Sequence, residues 1–145
     1  MKCFISILFG LMLFIPMISA QPSVVGIWKT IDDEEKTAKS HIEIFEMNGK
    51  IHGKVIKLLD ETSRTTCEKC KGDKKDKPIV GMEIMWNMEK DGDKTEWKGG
   101  KIMDPKNGKE YKCKIKLKKE DTLEVRGFVG FSLLGRTQKW YRVKE

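Results

Sequence analysis

The chain is predicted to be all-β: an antiparallel up-and-down meander of about eight strands closing into a barrel. Three observations carry this. Tyr111, Cys113, Ile115 and Leu117 alternate strictly with Lys112, Lys114, Lys116 and Lys118, the pattern of a strand with one face buried. Turn-forming pairs such as Asn48-Gly49, Asp91-Gly92 and Asn107-Gly108 recur between the apolar runs. After residue 20, no stretch of ten or more residues carries a helical apolar face. A sheet of eight strands either closes or leaves edges open to aggregation, and closure yields a barrel just wide enough for side chains or one small ligand.

The first segment is not part of that domain. Lys2 precedes an almost wholly apolar run from Phe4 to Ile18, and Ile18-Ser19-Ala20 ends in small residues. This is the pattern of a secretory signal peptide, with cleavage expected between Ala20 and Gln21. The run is shorter than a bilayer requires and is interrupted by Pro16, so no membrane span is expected after cleavage. Gln21, not a cysteine, follows the cleavage point, which argues against a lipoprotein. Residues 21–145 remain as one domain, exported to a periplasm or the extracellular space and of a size to build one core.

Val24–Thr30 reads as the first strand, followed by the charged connection Asp32-Asp-Glu-Glu35. Ile42 and Ile44 alternate with Glu43 and Phe45 up to Asn48-Gly49, and Ile51–Leu59 returns, with Gly53 marking a bulge or a close approach. Residues 60–78 show no apolar periodicity, many lysines and the pair Cys67-Glu-Lys-Cys70. They read as a long surface loop with at most one helical turn, and long loops are often functional. Met82, Ile84 and Trp86 form one period-two face, Asp91-Gly92 turns the chain, and Thr95–Met103 returns. Asp104-Pro105 and Asn107-Gly108 make the next connection, with Asp104 a turn acceptor of backbone N–H groups and not a catalytic acid. Thr122–Val129 and Arg136–Val143 complete the set.

Charge and cysteines bound the function. The net charge is +7, but lysines are interleaved with acids in Lys71–Lys77 and Lys116–Asp121, which reads as a solvated surface and not a nucleic-acid site. Cys67, Cys70 and Cys113 follow the signal. Cys67 and Cys70 are read as a structural disulfide. A redox pair would sit at a helix N-terminus after a strand, and zinc would need two further ligands, with only Cys113, His41 and His52 on offer. Cys113 shares the inward face of Tyr111 and Ile115 and reads as a small buried hydrophobe. His41 and His52 flank the first hairpin, where they could be cross-strand neighbours. No nucleophile elbow or phosphate loop is present, so no catalytic residue, metal or cofactor is assigned and an enzyme is the least supported class.

Gly26-Ile-Trp28 with the late Arg142 resembles the calycin arrangement of lipocalins and their relatives, in which a tryptophan plugs the barrel base and an arginine lies across its ring. Arg136 is a rival for that ring. A wider likeness runs through Pro78-Ile-Val-Gly81, Trp97-Lys-Gly-Gly100, Ile102–Gly108, Tyr111, Arg126–Gly130 and Gly135–Trp140. In these motifs the chain resembles the family catalogued as domain of unknown function 2147. The resemblance implies an exported bacterial protein with a lipocalin-like barrel and carries no catalytic residue.

Two functions compete. One is a non-enzymatic barrel that binds a small apolar ligand or envelope component, with Trp86, Trp97, Tyr111 and Trp140 as candidate pocket lining. The other is an envelope protein-interaction module with a packed core, acting through the 60–78 loop. No motif encodes an oligomeric state.

Overall fold

A computed structural model describes residues 14–17 and 20–144. The expected signal peptide, residues 1–20, lies largely outside the described residues. Eight strands follow in order: β1 (Gly26–Ile31), β2 (Ala38–Met47), β3 (Lys50–Leu58), β4 (Glu83–Lys90), β5 (Glu96–Asp104), β6 (Lys109–Lys119), β7 (Thr122–Phe128) and β8 (Gly135–Arg142). Each pairs antiparallel with the next, and β8 returns to β1, so the sheet closes into a barrel. Every strand and every pairing lies within Gly26–Arg142, so a chain beginning at Gln21 contains the whole barrel. Among the described residues no helix is long and apolar enough to cross a membrane.

Strand direction sorts the connections into two ends. The tight turns β2–β3, β4–β5 and β6–β7 lie at one end, the base. The β1–β2 connection, residues 59–82, the β5–β6 turn and residues 129–134 lie at the other, the mouth. At the base, Asn48 and Gly49 have φ of 53° and 75°, the paired positive values of a type I′ hairpin turn.

The base is filled. Trp28, Ile42, Ile44, Met85, Met88, Ile115 and Leu123 are fully buried and point inward. Gly53 admits this packing, since a Cβ there would lie 3.3 Å from both Ile42 Cγ2 and Met85 Cβ. The β4 face expected from Met82, Ile84 and Trp86 is corrected here. Met85 and Met88 face the interior, and Asn87 between them adopts φ of 58°, which breaks the alternation. Trp86 falls on the outer side, whereas Ile84 is buried and lines the cavity, at a second register shift between Gly53 and Lys54. A sequence scored on strict period two cannot register such a bulge.

The seam between β1 and β8 is short: Trp28 faces Arg142, Lys29 faces Tyr141 and Thr30 faces Trp140. It is reinforced by side chains. The Arg142 guanidinium lies 4.3 Å from the Trp28 ring centroid. The same group donates to the carbonyls of Val25 (2.9 Å), Ser23 (2.7 Å) and Glu120 (2.8 Å). Trp28 Nε1 donates to the Val24 carbonyl at 2.9 Å. Gly26 is required beneath them: its φ is +143°, and a Cβ would come within 2.6 Å of Arg142 Nη1. Arg136, the rival for the ring, sits at the opposite end of β8 with its Nε 2.6 Å from Asp33 Oδ2.

The 60–78 region is a long connection held down by its cysteines. Cys67 and Cys70 form a disulfide and are buried. Their sulfurs pack against the β5–β6 region: Cys67 Sγ is 3.4 Å from the Pro105 carbonyl, and Cys70 Sγ is 3.6 Å from Met103 Sδ. Gly108, at φ +71°, lies so close to the Lys69 carbonyl that any Cβ would collide with it. Within the connection, Cys67 N–H donates to the Lys77 carbonyl and Asp76 N–H to that of Cys67, and Gly72–Lys74 forms one 3₁₀ turn. Many lysines face solvent here, but the buried disulfide joins the barrel's own core, together with Ile79 and Met103.

Two measurements check this account. Trp28→Ala should lower unfolding free energy by ~3–5 kcal/mol in urea titration, the range for truncating a buried aromatic, and a loss under ~1 kcal/mol would contradict its burial. Thiol counting on the unfolded, unreduced chain from Gln21 should find one free thiol. That thiol belongs to Cys113, whose pKa burial pushes up to about 12. In the native state it should not react with a thiol reagent at pH 8, because both access and thiolate are withheld.

Candidate functional site

Above the packed base, the inward positions become smaller or more polar. β1 offers Thr30, β2 Ser40, β3 Val55, β7 Val125 and Gly127, and β8 Gln138. Gly127 matters most. It lines the cavity without a side chain, and a Cβ there would meet Tyr111 Cβ at 3.4 Å and Ile102 Cγ2 at 3.6 Å, ordinary contact without a clash. These residues surround a cavity of about 830 Å³ that opens at the mouth. That volume suits a small organic molecule.

The walls divide by chemistry. Val55, Ile102, Tyr111, Val125 and the buried Trp140 supply an apolar surface. Polar atoms are few and mostly engaged with one another. Thr30 Oγ1 and Ser40 Oγ are 2.8 Å apart, Trp140 Nε1 donates to Gln138 Oε1 at 3.3 Å, and Asn107 Nδ2 donates to the Tyr111 hydroxyl at 3.3 Å. The Gln138 carbonyl oxygen is thus occupied, leaving its amide N–H groups as donors.

The charged residues stand at the rim. Lys39 Nζ sits 2.6 Å from Glu35 and 2.7 Å from Asp60, tying the β1–β2 connection to the start of residues 59–82. Hydrogen bonding to Lys39, and then to Thr62, holds the Asp60 carboxyl well below the usual carboxylate range. Asp60 and then Glu35 raise Lys39. Because the carboxyl's folded pKa is depressed, its stabilisation is complete above the unfolded value and is lost as pH falls through the folded one. Because lysine's is raised, its share is complete below its unfolded value and lost as pH rises through the folded one. The pair is therefore intact from about pH 4 to about pH 10. With both partners partly exposed, it positions the rim more than it stabilises the fold. Arg136 and Asp33 make a second rim pair, and Asp33 holds the guanidinium above its ordinary value.

The four aromatic residues expected to line a pocket separate into two pairs. Tyr111 and Trp140 line the cavity. Trp86 and Trp97 do not. Trp86 lies on the outer wall with Lys74 Nζ 4.2 Å from its ring centroid, a result of the β4 bulge. Trp97 is buried opposite Ile115 in the packed lower half. Residue type alone does not encode height along the barrel, which is what separates them. Asp104 accepts the Lys106 N–H at 2.8 Å, the expected turn role, yet its turn also contributes Pro105, Lys106 and Asn107 to the rim. His41 and His52 are not neighbours: His52 faces Phe45 across the hairpin, with Nδ1 2.7 Å from Glu83 Oε1, while His41 faces Lys57. Among the described residues no three Cys, His, Asp or Glu side chains converge as metal ligands would.

Val55, Ile102, Val125, Gly127 and Gln138 were not singled out by sequence. A signal for two of them was present: Val125 and Gly127 continue the inward alternation of β7, and a glycine at an inward position marks a missing side chain.

Comparison with known proteins places this geometry. No curated protein sequence matches the chain. A solved structure described as protein HP1028 from the human pathogen Helicobacter pylori, stated to belong to the lipocalin family, is similar with a TM-score of 0.75 at 22% identity. The similarity covers 85% of this chain and 84% of that one, and shows a lipocalin-like fold. Residues 26–142 match the profile of a family described as an uncharacterized protein conserved in bacteria (DUF2147), and the chain belongs to that family.

Proposed function

We propose that this protein is an exported, non-enzymatic barrel that binds a small, largely apolar molecule in the cavity at its mouth. The observation that carries the reading is the asymmetry of the interior. The base is filled by tryptophan, isoleucine and methionine, while the upper half keeps about 830 Å³ open beside Val55, Ile102, Tyr111, Val125 and Trp140. Apolar walls with a few hydrogen-bonding groups are the usual composition of a small-molecule site. The Gln138 amide and the Tyr111 hydroxyl give such a ligand donors to orient an acceptor oxygen. Export is supported by the apolar run Phe4–Ile18 and by a disulfide, which persists in oxidising compartments.

The competing reading is an envelope protein-interaction module with a packed core acting through the 60–78 loop. Asp60, Thr62, Arg64 and Lys69 of that loop line the cavity mouth, which favours the ligand-binding reading.

Filling the cavity tests the proposal. The uncharged fluorophore N-phenyl-1-naphthylamine should bind the wild-type chain with enhanced, blue-shifted emission. Gly127→Leu, which projects a side chain into the open space at a position with ordinary backbone, should weaken that binding by at least ~10-fold, since an excluded ligand loses most of its apolar contact. A melting temperature close to wild type would show the barrel intact. Equal binding by both proteins, or none by the wild type, would refute an internal site.

A further inference from the structure

The connection between β7 and β8 is at odds with the rest of the surface. Val129, Phe131, Leu133 and Leu134 are 64%, 79%, 88% and 68% exposed, and no charged side chain interrupts residues 129–134. Single exposed apolar residues are ordinary, but a contiguous cluster marks an interaction surface. The segment is built and not frayed. Val129 N–H donates to the Leu134 carbonyl at 3.1 Å, Leu134 N–H to the Phe131 carbonyl at 3.0 Å, and Arg126 Nε to the Ser132 carbonyl at 2.7 Å. The turn therefore satisfies part of its own backbone, as a segment entering an apolar phase must.

Charge identifies the occupant. Beneath the tip, on the outer face of β6 and β7, Lys114 faces Arg126 and Lys112 faces Phe128 across the strands. Arg126 binds only a carbonyl and the Thr137 hydroxyl, while Lys114 shares Glu96 with Lys116. On the other side of the tip the acidic residues Asp32–Glu35 surround Arg136, so the two flanks differ in sign. An apolar tip with a basic flank fits a bilayer carrying anionic headgroups: Phe131 and the leucines enter the acyl boundary while Arg126 and Lys112 meet phosphates. A second copy fits less well, because a convex tip of four side chains falls short of the ~800 Å² per partner that a stable interface buries.

We infer that the mouth of this barrel docks peripherally on an anionic membrane surface through residues 129–134, tilted toward its β6–β7 side. The docking stands independently of cavity occupancy. The mouth and the tip share one end of the molecule, so docking would turn the cavity's opening toward the lipid.

The test uses the chain from Gln21, which keeps the whole barrel and lacks the apolar N-terminal run. It should co-sediment with phosphatidylglycerol-containing vesicles, more weakly with phosphatidylcholine alone and more weakly at raised salt. Phe131→Asp/Leu133→Asp should lower vesicle affinity by at least ~10-fold, since each large apolar side chain withdrawn from lipid is worth roughly that factor. The milder Phe131→Ser/Leu133→Ser should fall in the same direction, with melting temperatures held because these side chains are exposed. Met47→Asp, at an exposed apolar residue of the base, should leave binding unchanged. Absence of vesicle binding, or binding unaffected by the tip variants, would overturn the inference. So would sedimentation equilibrium showing a lipid-free dimer that the tip variants convert to monomer.

Discussion

Arg142 closes the molecule. Eight strands in a meander need one bond that chain connectivity does not provide, between the first strand and the last, and here that seam is short. A single guanidinium joins the approach to β1, the β6–β7 turn and the Trp28 ring. Its stacking on indole is worth ~0.5–2 kcal/mol, and its bonds to three exposed carbonyls hold it over the ring. Gly26 suits this cluster, since its φ of +143° is one that side-chain-bearing residues rarely adopt and a Cβ would press on the guanidinium. With the base sealed, the interior opens only at the mouth.

The opening itself comes from what the upper strands omit. Thr30 on β1, Ser40 on β2 and Gly127 on β7 bring small side chains or none to the interior, while Ile102, Tyr111 and Trp140 wall the space they leave. The rim is then set by connections that hold one another. The Cys67–Cys70 disulfide seats residues 59–82 against Met103 and Pro105, Gly108 permits the contact, and Lys39 ties the same segment to the β1–β2 connection. A cavity between long connections would collapse or gape without such ties. Here the disulfide, Ile79 and Met103 are packed into the same continuous core as the barrel interior.

The fold was legible because strands announce themselves locally. Tyr111–Leu117 alternates without interruption, Asn48-Gly49 names its turn type, and Gly26, Trp28 and Arg142 stand at the two ends of the barrel sequence where a closing cluster belongs. The disulfide was legible from spacing and expected compartment. The site was less so. Trp86 and Trp97 have the composition of a pocket but stand outside and below it, because a bulge at Asn87 and height along the barrel are decided by pairing register. Residues 60–78 read as a surface loop tied by Cys67 and Cys70, and only tertiary contact reveals that the disulfide is buried against Met103 and Pro105. The exposed apolar tip at 129–134 was not legible, since hydrophobicity in a sequence does not say which side of a surface it occupies.

The proposed ligand site lies in the upper half of the barrel, above the packed base. Indole N–H resonances can test it position by position, because Trp28, Trp86, Trp97 and Trp140 mark the base, the outer wall, the packed interior and the cavity. Titration with N-phenyl-1-naphthylamine, followed by ¹⁵N–¹H correlation spectra, should move the Trp140 indole signal while that of Trp28 stays fixed. A shift at Trp86 with none at Trp140 would place binding on the outer surface and contradict the account.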